Sequence, residues 1–102
     1  MFEIVLSEVE TGNFVGRVVN VSEDGLQIVR EKPLSQGTLL YLRVDLPSEF
    51  CGLNELTFHA QVRWCRPEED QRQIGVGLQI LDINDEHRRV FRELMRLTCF
   101  RR

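Results

Sequence analysis

The sequence predicts a mainly β fold, six antiparallel strands closed into a small barrel with one α-helix at the C-terminal end. Three observations carry this. Short segments rich in apolar and β-branched residues recur at regular spacing, separated by turn residues. Several of them alternate apolar and polar residues over a long stretch. A closed barrel satisfies that pattern without leaving free sheet edges. After residue 84 the apolar period changes from two to that of a helix.

The first strand is expected from Phe2 to Val9, followed by a turn over Glu10–Asn13 that contains Gly12. Phe14 to Val21 forms the second strand. Asn20-Val21-Ser22-Glu23-Asp24-Gly25 then reads as a tight turn, because Asn, Ser and Asp bond their own backbone and Gly tolerates positive φ. The third strand runs from Gly25 to Arg30, and Pro33 and Gly37 bracket a connection. In the fourth strand, Leu39 to Leu46, Leu40, Leu42, Val44 and Leu46 share one face while Arg43 and Asp45 point the other way. A loop is expected from Pro47 to Asn54.

The fifth strand has the cleanest alternation, with Leu56, Phe58, Ala60, Val62 and Trp64 on the core face and His59, Gln61 and Arg63 outside. A polar hairpin loop, Arg66–Gln73, leads to the sixth strand, in which Ile74, Val76, Leu78 and Ile80 point inward. Gly75 and Gly77 fall on its outer face. Glycine inside a strand marks a bend or bulge, or a close approach by another group. The barrel is thus expected over about residues 2–81, and the helix over about 85–99. Asn84 is placed to cap the helix, with Asp85 and Glu86 in its first turn. His87, Val90, Phe91, Leu94, Met95, Leu97 and Thr98 make a broad face for the barrel, opposite Arg88, Arg89, Arg92, Glu93 and Arg96.

At 102 residues the chain suits a single domain. Its net charge of −3 is uneven. Asp85–Arg102 holds six Arg against three acids, whereas the rest holds seven Lys and Arg against thirteen acids. An acidic body argues against general nucleic-acid binding, which needs phosphate neutralisation. A barrel that binds single strands would also need stacking aromatics on a basic face, and Phe58 and Trp64 are expected in the core. No apolar run approaches the roughly 20 residues of a membrane span, and no leader is apparent, so a cytoplasmic protein without membrane insertion is expected. Cys51, Cys65 and Cys99 lack metal-ligand spacing and read as inert thiols. His59 and His87 are the only histidines, and neither has a partner at a catalytic spacing. No phosphate-cradling glycine loop or nucleophile elbow is present. The expectation is therefore a protein that is not an enzyme and has no cofactor.

Asn20, Ser22 and Gly25 spell [D/N]-x-S-x-x-G, which resembles the second signature of the PilZ domain family. Three further segments fall in the family's order, Pro33–Leu46, Ala60–Trp64 and Gly75–Ile80, ahead of the helical tail. The resemblance implies a six-stranded PilZ-like barrel in bacterial cyclic di-GMP signalling or motility control. It also implies that Asn20, Ser22 and Gly25 are ligand-binding positions. In the family an R-x-x-x-R segment just before the first strand supplies guanidinium forks for the dianionic nucleotide. Here no Arg occurs before Arg17, and Glu23 and Asp24 stand inside the turn motif.

Each charge-assisted bond from a guanidinium contributes about 1.5–3 kcal/mol. Two missing arginines therefore remove about a hundred- to ten-thousandfold in affinity. Direct binding of cyclic di-GMP is expected to be weak or absent unless Arg17, Arg43, His59 or Arg63 substitutes. Arginines from elsewhere would make the chain a working receptor. Otherwise the domain is expected to act on a partner protein of signalling, type IV pilus or flagellar machinery, through a surface of Arg88, Arg92, Arg96 and Phe100.

Overall fold

The computed structural model describes residues 3–69 and 72–98. Strands β1 (Val5–Glu8), β2 (Phe14–Val21), β3 (Gly25–Arg30), β4 (Leu39–Phe50), β5 (Leu53–Pro67) and β6 (Ile74–Asp82) precede helix α1 (Asp85–Thr98). All neighbouring strands are antiparallel, and the sheet closes on itself in the order β1-β2-β3-β6-β5-β4. Phe2 and Phe100 lie outside the described residues.

The expected alternation fills the interior. Leu40, Leu42, Val44 and Leu46 from β4 are buried with Leu56, Phe58, Ala60 and Val62 from β5. Val76, Leu78 and Ile80 from β6 complete that side, and Leu6, Val18, Leu26 and Ile28 line the other. The connection before β4 is also fastened to the barrel. Gly37 N donates to Val62 O at 2.8 Å, and Val62 N donates to Thr38 O at 2.9 Å.

The expected loop over Pro47–Asn54 is instead the end of a long hairpin. β4 continues to Phe50, and β5 begins at Leu53. Only Cys51 and Gly52 join them, at φ of 52° and 85°. Two successive positive φ values are what a two-residue hairpin turn of matching twist requires. The ladder is interrupted between Asp45 and Phe50, the stretch in which Pro47 supplies no backbone donor. Pro47 made this stretch read as loop, and Cys-Gly is a weaker turn signal than Asn-Gly.

Helix α1 begins as expected. Asn84 Oδ1 accepts from His87 N at 2.8 Å, and Asn84 O accepts from Arg88 N at 2.9 Å. Val90, Phe91 and Leu94 are buried, and the Phe91 ring packs against Phe58 at 6.1 Å between centroids. β6 ends at Asp82, which leaves the Thr57 amide of β5 without a strand partner on that side. That amide donates to His87 Nδ1 at 3.2 Å. The helix thus closes the barrel mouth with apolar side chains and one ring nitrogen. The Leu97 and Thr98 side chains lie outside what the structure describes.

Candidate functional site

Two strand irregularities build the site. In β2 the ladder to β3 steps from Val18↔Ile28 to Asn20↔Gln27, so Val19 is an extra residue. Val18 is buried, and the bulge brings Asn20 opposite Gln27 on the outer face. In β5 the ladder to β6 steps from Val62↔Leu78 to Trp64↔Gly77, with Arg63 as the extra residue. Bulges re-aim side chains in this way, and they cluster beside functional sites. Gln27 in turn pairs with Gly77. Asn20, Gln27, Gly77 and Trp64 therefore form one continuous row across β2, β3, β6 and β5.

Trp64 consequently does not line the core. Its side chain is only partly buried, on the outside, and Cys65 takes the inward position beside Val76. The indole lies where a Gly77 side chain would be: a Cβ there would run into Trp64 Nε1 and Cε2. Of the two readings of the β6 glycines, close approach is the one realised at Gly77. The Arg66 guanidinium rests over the Trp64 ring, 4.2 Å from its centroid. Arg63 donates to Gln79, which pairs with Gly25.

The motif turn sits at the end of this row. Ser22 N donates to Gly25 O at 2.9 Å, and Ile80 N donates to Asp24 O at 2.8 Å, so the turn is tied to itself and to β6. Positive φ does not explain Gly25, which is absent from the positive-φ glycines. A Cβ at Gly25 would collide with the Leu78 carbonyl oxygen, so close backbone packing requires the glycine. Asn20, Ser22, Gly25, Gln27, Trp64 and Gly77 line a shallow pocket of about 180 Å³.

The other expected site residues divide. Arg17 lies two positions along β2 from the Val19 bulge. It shares a hollow with Gln27 and is 3.6 Å from the Glu3 carboxylate. Arg63 adjoins the motif through Gln79. Arg43 and His59 are elsewhere. Arg43 pairs with Asp45 at 3.0 Å on β4, and His59 stacks on Tyr41 beside Asp82. Glu23 of the turn lines a cleft with Arg88, Arg92 and Arg96 of the helix. The helix arginines and the motif turn are therefore neighbours. Gln27, Trp64 and Arg66 were not expected here. Among the described residues, no cluster of His, Cys, Asp and Glu could hold a metal ion.

The sequence profile of the PilZ domain matches residues 4–97. The chain belongs to the PilZ domain family. Several solved structures share its fold. One is the inhibitor of motility MotI/DgrA of Bacillus subtilis, with TM-score 0.72 and 19% identity over 99% of this chain and 49% of that one. Another is K. pneumonia MrkH in its apo state, with TM-score 0.67 and 13% identity over 93% and 46%. A third is the PilZ domain of Escherichia coli YcgR with c-di-GMP, with TM-score 0.59 and 13% identity over 94% and 86%. The chain spans about half the length of the first two. No curated protein matches it in sequence. PilZ domains are non-enzymatic regulatory modules. Among the described residues, no helix is long and apolar enough to cross a membrane.

With Trp64 outside, one of the two aromatics expected in the core lies on the surface. Phe58 remains buried. For single-stranded nucleic acid, the acidic body still falls short of the basic groove such binding uses.

Proposed function

We propose that this PilZ domain is a cytoplasmic module of cyclic di-GMP signalling or motility regulation that works through contact with a partner protein. In this reading the 102 residues by themselves bind the nucleotide weakly or not at all. The observation that carries it is the state of the arginines around the motif row. Arg17 is placed against Glu3, Arg63 against Gln79, and Arg66 against the Trp64 ring. Among the described residues, no arginine lines the pocket of the motif row. A dianion needs guanidinium forks that converge on it. The helix arginines beside the motif turn are the surface this reading gives to an acidic partner from the signalling, pilus or flagellar machinery.

A second reading has its own support. Arg17, Arg63 and Arg66 flank one continuous row, and the Arg17–Glu3 contact is an exposed ion pair worth only about 0–1 kcal/mol. They could turn toward a nucleotide and make the chain a receptor. Isothermal titration of the chain with cyclic di-GMP separates the two. At about ten micromolar protein and physiological salt, the expected result is no saturable heat, as for a dissociation constant far above that concentration. A tight complex would replace the first reading by the second.

A further inference from the structure

A second surface lies where β4, β5 and β6 meet β1. Three large apolar side chains are exposed there, Leu39 at 68%, Leu81 at 47% and Tyr41 at 38%. Each has a local cause. Leu39 and Tyr41 alternate with the buried Leu40 and Leu42, so the core alternation of β4 puts them outside. Leu81 is the extra residue of a third bulge, where the pairing steps from Ala60↔Ile80 to His59↔Asp82. Together they border a groove of about 470 Å³.

The groove is pre-shaped. Tyr41 and His59 oppose each other across β4 and β5, and their rings stack at 4.2 Å with 4° between planes. On its other side His59 Nδ1 is 3.7 Å from the Asp82 carboxylate. Glu8 and Glu10 complete the rim, and among the described residues no Lys or Arg lines the groove. Clustered exposed apolar groups with a rigid aromatic anchor mark protein-binding surfaces. The acidic rim repels nucleic acid and anionic lipid, and selects positive charge.

From this geometry we infer that the Tyr41–His59 groove docks a basic amphipathic segment of a partner protein. An apolar side chain of that segment fills the groove, and its Lys or Arg side chains meet Glu8, Glu10 and Asp82. The inference rests on the reading that the domain acts by partner contact, and is independent of nucleotide binding. It adds a surface for basic partners on a different face from the helix arginines.

The probe is a short synthetic helix of leucine and lysine with the lysines on one face. A leucine–glutamate counterpart serves as its control. Each is titrated into the full isotope-labelled chain and followed by backbone amide NMR. The lysine peptide should shift residues 39–41, 59–60 and 81–82 and bind at least about tenfold more tightly than its counterpart. Tyr41→Ala and Leu81→Ser should each weaken it about tenfold, and Asp82→Asn should weaken it less, all with unchanged melting temperatures. Lysine-peptide shifts that scatter over the surface, or equal binding of both peptides, would sink the inference. Binding of the glutamate peptide alone, at Arg88–Arg96, would sink it while keeping the partner reading. Binding of neither would remove both.

Discussion

Gly77 and Trp64 show how one missing side chain redirects a large one. The alternation Leu56, Phe58, Ala60, Val62 is followed faithfully into the core. It fails at Trp64, because one inserted residue exchanges the two faces of a strand. Apolar pattern alone cannot reveal such an insertion. Two weaker signals were present: a bare glycine on β6, and Cys65 as a small apolar residue able to take the inward place. The domain's single Trp makes this testable. Gly77→Ala should push the indole off its seat, shifting Trp64 fluorescence to longer wavelength and destabilising the fold by about 1–3 kcal/mol, as overpacking does. Phe58→Ala should cost about 3–5 kcal/mol and Trp64→Ala clearly less, because only Phe58 is fully enclosed. Unchanged emission in Gly77→Ala, or equal losses at Phe58 and Trp64 in urea melts, would return the indole to the core.

At the scale of elements, strand number, the inward faces of β4 and β6, and the helix cap were all legible, because each rests on a local period or a capping residue. The β4–β5 turn and the three β5–β6 and β2–β3 irregularities were not, since a bulge is decided by both strands at once. The role of His87 was half legible. Its place on the inner helical face followed from period, but the unpaired Thr57 amide it accepts from depends on where β6 stops. Helix α1 gives the test of this level. Leu94 is fully buried and Arg92 is exposed. Leu94→Ala should therefore cost about 2–5 kcal/mol, and Arg92→Ala less than about 0.5 kcal/mol. Similar losses at the two positions in urea melts would mean that the helix docks by a different face.

At the scale of the whole molecule, the question is what an arginine strap would meet if one were supplied. The Val5 end of β1 pairs with Arg17, and Glu3 reaches the Arg17 side chain. Glu3 and the start of β1 therefore lie on the Arg17 side, the side on which Gln27 and the motif row lie. The motif turn orients polar groups, whereas converging guanidinium forks supply most of the attraction for a dianion. Glu23 lines the cleft of the helix arginines and not the pocket of the row. Adding a short Arg-x-x-x-Arg segment should therefore create measurable cyclic di-GMP binding, gaining about a hundredfold or more over the parent chain. Ser22→Ala should then weaken it. Arg43→Ala should leave it unchanged, because Arg43 pairs with Asp45 away from the row. Lowering the salt should strengthen whatever binding exists, since the charges sit on an exposed face. If the extended chain still gives no heat in titration, the motif row is not a nucleotide seat. If the parent chain already binds tightly, Arg17, Arg63 and Arg66 become the forks. Single substitutions should then abolish binding with the melting temperature intact.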